Sequence, residues 1–371
     1  MSKQLFTPVR VGAFNLAHRV VLAPLTRMRS EMSGNVPGPA MVKYYEQRAT
    51  PGALLIAEAT FVSRQGNGGY GSPGIENDEQ AAGWREVVKA VHAKGATIVL
   101  QLWHVGRVSH KSLQADGGVP VSPSAIDAAL FALLEGKPGP ATPPRALETQ
   151  EIAAIVEQYR AAAQRARDAG FDGIELHAAN GYLIDQFLQD GSNKRTDRYG
   201  GSVENRARFL FEVLGAVRQV WSADRIGVRI GPSNSFNGMH DSNPEALFSH
   251  VAVGLRDRKI AYLHVIEPRV KGSAIVSDHP PIVAANLKPI FGGPLIAAGG
   301  FNAEDAEAIV SEGKVDLVAF GRHFIANPDL PRRLEEDLPL NPYDRDTFYY
   351  GGVKGYLDYP TFGEVETPAV A

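Results

Sequence analysis

The stretch Asp172-Gly-Ile-Glu-Leu-His177-Ala-Ala-Asn180-Gly-Tyr182-Leu-Ile-Asp-Gln-Phe-Leu188 organises the reading of this chain. It opens on a short apolar run with the length and β-branched character of a buried strand. His177, Asn180 and Tyr182 then fall within six positions, each able to donate a hydrogen bond in a different direction. A plain strand-to-helix turn also uses polar groups to tie down its backbone. Binding and catalytic groups, however, concentrate on loops carried by rigid strands, and a trio directly after a strand end points to a site.

The same unit recurs along the chain. Apolar runs of strand length occupy Arg19–Pro24, Leu54–Ala59, Thr97–Leu102, Gly173–His177, Ile226–Ile230, Tyr262–Ile266, Pro294–Ala298 and Asp316–Phe320. Between them, apolar residues at helical spacing mark Gln80–Lys94, Thr149–Ala169, Ser202–Val220, Glu245–Arg256 and Ala303–Ser311. Strands alternating with helices, without a break in composition, predict an α/β fold: a single (β/α)₈ TIM barrel spanning residues 1–371. A small N-terminal hairpin is expected within Leu5–Asn15, turning at Val11-Gly12. The main irregularity is Val105–Glu148, rich in Gly and Pro, which follows the third strand. A loop of that length is either a functional cap or locally disordered; it is read as a capping insertion. The tail carries Phe348, Tyr349, Tyr350, Tyr356 and Tyr359 and is expected to pack down, whereas Glu364–Ala371 is expected to fray.

Composition narrows the function classes. The 371 residues are 44% hydrophobic and 21% charged, ordinary for a soluble protein with a large core. A net charge of -3 and a pI near 6.4 give no footprint for nucleic acid or an anionic membrane. Cysteine is absent, which excludes disulfides, thiolate catalysis and Cys-held iron–sulfur or zinc centres. The first residues lack the apolar core of a signal peptide, and no run approaches the length of a membrane span. A cytoplasmic protein is expected.

Active sites of this fold sit at the C-terminal ends of the strands. Those ends read Pro24-Leu25-Thr26-Arg27, Ala59-Thr60, Gln101-Leu-Trp103-His104, His177 to Tyr182, Arg229, His264, Gly299-Gly300 and Gly321-Arg322. The last two pairs follow strands seven and eight, where barrels bind phosphate: glycines admit backbone N–H groups, a short helix start adds its dipole, and Arg322 supplies a bidentate cation. Gln101 and Arg229 suit a flat heteroaromatic ring with carbonyl and imide groups, and an Arg beside a flavin pyrimidine would stabilise its anionic reduced form. Taken singly, each is more often a buried hydrogen-bonded or ion-paired residue.

Pro24-Leu-Thr-Arg27, Gln101-Leu-Trp-His-Val-Gly-Arg107, His177 to Leu188 and Arg195-Thr-Asp-Arg-Tyr-Gly-Gly-Ser202 together resemble the Old Yellow Enzyme family of FMN-dependent ene-reductases. Ala298 to Phe301, Phe320-Gly-Arg322 and Gly355-Tyr-Leu-Asp-Tyr-Pro360 extend the resemblance over almost the whole chain. It implies that His177 and Asn180 polarise the substrate's carbonyl or nitro oxygen, as an oxyanion hole does. Hydride then passes from reduced flavin N5 to the β carbon, and Tyr182 protonates the α carbon as general acid. Thr26 is implied at the flavin C4 oxygen. Pro24, Leu25, Ala59, Gln101 and Arg229 are implied at the ring, and Gly299, Gly300, Gly321 and Arg322 at the phosphate. Tyr70, Trp103 and Tyr349 are implied as the pocket lining over the flavin, although bare aromatics are more often core.

Thr26 stands where one branch of the family carries Cys, so the chain resembles the Thr-bearing branch; Asn180 in place of a second His, also found in the family, keeps the donor without the option of a cation. Length and absent cysteine exclude the larger iron–sulfur dienoyl-thioester reductases. The expectation is therefore tightly bound FMN, NADPH or NADH as hydride donor, activated alkenes such as enones, maleimides and nitroalkenes as substrates, and phenols as ligands. A monomer or homodimer is expected, without a nucleic-acid or membrane partner. A barrel lyase or isomerase for a phosphorylated substrate is disfavoured, because no Lys ends a strand and no carboxylate cluster suggests a metal. A flavin-binding sensor or carrier without turnover is the other alternative, and the His177, Asn180 and Tyr182 trio argues against it.

Overall fold

Parallel strands close on themselves in chain order: β1 (Val20–Leu22), β2 (Leu54–Phe61), β3 (Thr97–Trp103), β4 (Gly173–Ala178), β5 (Ile226–Ile230), β6 (Tyr262–Ile266), β7 (Leu295–Ala298) and β8 (Leu317–Phe320). β8 pairs back onto β1 and completes the expected barrel. The computed structural model describes residues 3–31, 33–271, 274–275 and 283–364. Strand ends lie within about two residues of those read from the sequence. Side-chain alternation sorts each strand. On β4, Ile174, Leu176 and Ala178 join the shell core under the helices, while Glu175 and His177 share the opposite face.

The outer helices are α1 (Pro39–Arg48), α2 (Asp78–Ala93), α3 (Thr149–Asp168), α4 (Leu183–Leu188), α5 (Val203–Val217), α6 (Pro244–Asp257), α7 (Ala284–Phe291), α8 (Ala303–Ser311), α9 (Arg322–Ala326) and α10 (Leu330–Glu335). Side chains of Asn77, Ser202, Asn243 and Asn302 accept a backbone N–H at the starts of α2, α5, α6 and α8. These caps fix where the chain leaves each βα loop. Among the described residues no helix is long and apolar enough to cross a membrane.

The N-terminal hairpin pairs Val9–Val11 with Phe14–Leu16. It places Val11, Phe14 and Leu16 against Val21, Leu54, Val99 and Leu317, so an apolar plug closes the barrel's N-terminal mouth. The opposite mouth is left for the site. On that side the β2–β3 register slips between Ala57 and Thr60. The bulge turns Ala59 toward the barrel mouth and leaves Glu58 buried against Tyr45 of α1.

Residues 105–148 contain a parallel pair, Val121–Ser122 with Arg145–Ala146, and an antiparallel hairpin, Phe131–Leu133 with Pro138–Pro140. The hairpin is held on two sides: the N–H of Tyr70 donates to Leu133 O at 2.8 Å, and the Tyr350 hydroxyl donates to Leu134 O at 3.0 Å. Of the aromatic tail, Phe348 and Tyr356 are buried, and Tyr356 stacks on Tyr44 of α1 at 4.4 Å between ring centroids. Residues 365–371, the bulk of the segment expected to fray, lie outside the described residues.

Candidate active site

A cavity of about 760 Å³ opens at the C-terminal mouth of the barrel. Its wall gathers residues from well-separated strand ends: Pro24, Leu25 and Thr26 after β1, Ala59 on β2, Gln101 and Trp103 on β3, and His177, Asn180 and Tyr182 from β4 onward. Arg229 of β5, Gly299 and Gly300 after β7, Gly321 and Arg322 after β8, and Tyr349 of the tail complete it. Leu130, Phe131, Leu133 and Pro138 of the insertion also line it, together with Phe236 and Asn237.

The trio is held so that its donors are available. Asn180 sits at φ 59°, a left-handed conformation that Asn tolerates better than most residues, and Gly181 follows at 74°. The Phe236 N–H donates to Asn234 Oδ1 at 2.8 Å, which forces the Asn234 amide to present its NH₂. That NH₂ donates to Asn180 Oδ1 at 2.6 Å. The Asn180 NH₂ is thereby turned to the cavity as a donor. His177 is kept neutral: burial, then the charges of Arg229 and His264, hold its imidazole well below the usual range. Its Nδ1 is buried without a partner. Tyr182 meets both Trp103 and His177 edge-on, with ring centroids 5.0 Å apart in each case. Burial, then Tyr349, raises its phenol pKa, so it stays protonated.

At the other end, Gly299 and Gly300 have φ 119° and 74°. Both angles disfavour a side chain, and a Cβ at Gly300 would stand 3.5 Å from the Arg322 guanidinium. The bare backbone and Arg322, whose Nη1 is buried without a partner, form an anion cradle. Between the two ends lie Gln101 and Arg229. Gln101 Nε2 donates to the buried carboxylate of Glu175 at 2.7 Å, and Arg229 leaves its Nε buried and unpaired.

The sequence profile of the NADH:flavin oxidoreductase / NADH oxidase family matches residues 4–341. A putative 12-oxophytodienoate reductase from Oryza sativa subsp. japonica is 48% identical, with 96% of this chain and 97% of that protein covered. A 12-oxophytodienoate reductase from Arabidopsis thaliana is 46% identical, covering 97% and 96% respectively. Among solved structures, morphinone reductase superposes with a TM-score of 0.91 at 47% identity, covering 97% of each chain. Its complex with tetrahydroNAD gives 0.90 at 49%, covering 96% of this chain and 97% of that one.

The chain belongs to the Old Yellow Enzyme family. It is an FMN-dependent NAD(P)H oxidoreductase of the ene-reductase type. The cavity of this flavoenzyme suits that cofactor. Buried polar atoms without partners occur at Arg229 Nε, among the ring-binding candidates, and at Arg322 Nη1, among the phosphate-binding candidates, both residues lining the same cavity.

Tyr70 differs from Trp103 and Tyr349, which line the cavity. It is absent from the cavity wall; its hydroxyl instead donates to Glu135 at 3.2 Å on the exposed side of the insertion hairpin. His264, read as a strand-end group, is wholly buried against Glu175 and does not line the cavity.

Sequence reading missed Asn234, Arg27 and Arg29. Arg27 donates to Phe348 O at 2.9 Å and to Gly355 O at 2.7 Å; Arg29 donates to Thr347 O and Tyr350 O, each at 2.8 Å. They strap the tail that carries Tyr349 over the cavity. Arg27 stood within a recognised motif, which was the available signal.

Proposed function

We propose that this enzyme reduces the C=C bond of neutral activated alkenes, with His177 and Asn180 as the oxyanion donors and Tyr182 as the proton donor. When bound, FMN supplies the hydride, taken from NADPH or NADH, to the β carbon. The orientation of Asn180 carries the reading: Asn234 occupies its oxygen, so the NH₂ faces the cavity beside a neutral His177. Two neutral donors stabilise the enolate oxygen as charge develops there, and neither has to lose a proton to do so. Tyr182 retains its proton until the α carbon becomes basic enough to take it.

Pro24, Leu25, Thr26, Ala59, Gln101 and Arg229 would hold the flavin ring, with Gly299, Gly300, Gly321 and Arg322 at the phosphate. Trp103 and Tyr349 would flank the substrate. Residues 105–148 would cap the site, because Leu130, Phe131 and Pro138 supply apolar wall there. Exclusion of water by that wall would strengthen every hydrogen bond to the developing charge. The reading includes a cytoplasmic location and a monomer or homodimer.

Stopped-flow measurement of the half-reactions tests the assignment. Tyr182→Phe should slow alkene reduction by about 10²–10⁴-fold and leave flavin reduction by NADPH nearly unchanged. Equal losses in both half-reactions would remove Tyr182 from the proton-donor role.

A further inference from the structure

Glu175 has no part in the chemistry described so far, yet it is a wholly buried carboxylate next to it. It stands two residues before His177, on the same face of β4. Three observations define its surroundings. Gln101 Nε2 donates to Oε1 at 2.7 Å, and the His264 Nδ1–H donates to Oε2 at 2.9 Å. Arg229 is within electrostatic reach and, among the described residues, has no carboxylate in contact. Finally, Gly227 on β5 makes room for this layer: a Cβ there would fall 2.2 Å from Tyr262 Cζ, so the Tyr262 ring occupies the space a side chain would need.

A buried charge is costly unless it is paired and hydrogen-bonded. An apolar residue of similar size would fill the same volume without that cost, so packing alone does not account for a carboxylate here. The hydrogen bonds have a direction. A carboxylate only accepts, so Gln101 must turn its NH₂ to Glu175 and its carbonyl oxygen to the cavity. Burial lowers the Arg229 guanidinium, and Glu175 is the foremost group opposing that shift.

We propose that Glu175 is the positioning residue for the flavin's pyrimidine edge. It orients the Gln101 amide as an acceptor for an imide N–H and acts as the distant counter-charge that sets how strongly Arg229 favours the anionic reduced ring. The inference rests on the placement of Gln101 and Arg229 at the ring.

Two quantities on the purified holoenzyme and its apoprotein separate this role from a structural one: the dissociation constant of oxidised FMN and the two-electron potential of the bound flavin. A residue that only stabilises the fold changes binding of both redox states alike and leaves the potential where it was. Glu175→Gln removes the charge and keeps the shape. Oxidised FMN should bind about tenfold more weakly. Reduced flavin should gain about tenfold relative to oxidised, an upward shift of about 30 mV. An unchanged potential overturns the proposal.

Glu175→Asp keeps the charge and withdraws the acceptor from Gln101, and it carries the test if the Gln variant does not fold. It should weaken oxidised FMN with little change in potential; unchanged FMN binding overturns the proposal. Gln101→Ala and Arg229→Ala are the controls. If they alter FMN binding and potential while Glu175→Gln alters neither, only the role of Glu175 fails. If they alter nothing, their placement at the ring fails and takes the inference with it.

Discussion

At the scale of single residues, the site depends on which end of an amide faces the cavity. Asn180 and Gln101 each carry a donor and an acceptor, and neighbours decide between them. Asn234 takes the oxygen of Asn180; Glu175 takes the nitrogen of Gln101. Truncation of Asn234 to Ala frees the Asn180 amide to rotate. A titration of the flavin charge-transfer band should then show phenol binding weakened about tenfold, the loss of one correctly directed hydrogen bond. Full retention of affinity would mean that Asn180 is held by other contacts. His177→Ala removes a donor outright and should weaken phenolate binding by about 10–100-fold, the range for hydrogen bonds to a charged group. The residue types of the trio were legible in the sequence. The directions of the Asn180 and Gln101 amides were not, because these depend on partners 54 and 74 positions away respectively.

At the scale of elements, the turn from β4 into α4 is the part that holds Tyr182. Every residue of α4 is buried, so it has no amphipathic stripe to mark it in the sequence. Within it, Asp185 Oδ2 accepts the Gly181 N–H at 2.8 Å, which braces the residue before Tyr182. Burial pushes the Asp185 carboxyl up to about 7, against the hydrogen bonds from Gln189 and Gly181. The folded state therefore holds this proton more tightly than the unfolded chain. The stability it brings is complete below about pH 4 and is lost as pH rises toward 7. Asp185→Asn keeps an acceptor for Gly181 and cannot ionise. Relative to wild type, its melting temperature should rise progressively between about pH 4 and 7 and then level off. A constant difference across that range would show that Asp185 titrates normally. Helices α1, α4, α7, α9 and α10 were not among the clear sequence patterns, whereas α2, α3, α5, α6 and α8 were read within a few residues.

Over the whole molecule, the barrel is shut at one mouth by the N-terminal hairpin and strapped at the other by the C-terminal tail. Phe14 lies in the plug and is 4% exposed; Phe14→Ala should cost about 3–5 kcal/mol, read as a lower denaturant midpoint at constant slope. Arg27 works at the opposite end. It sits beside the stacked Tyr44 and Tyr356 rings and donates to main-chain carbonyls of the tail. Arg27→Ala leaves those carbonyls unpaired and should destabilise by about 3 kcal/mol or more. It should also weaken binding of bulky enones more than small ones, because Tyr349 loses its anchor. A stability loss without that size dependence would leave the strap as a purely structural feature.

Eight apolar runs with five helical periods between them determined the barrel, because a buried parallel strand and an amphipathic helix each leave a local mark on the chain. The same local marks placed the polar residues of β4 and the glycines after β7 and β8 at strand ends, and the family fold did the rest. What tertiary structure alone decided lies between distant segments. Arg27 bonds to a carbonyl 321 positions on, and Glu175 to a His 89 positions on. The Tyr70 hydroxyl meets Glu135 of the insertion 65 positions on. Periodicity reports which face of an element is buried; it carries no information about which polar group from another strand will meet it there.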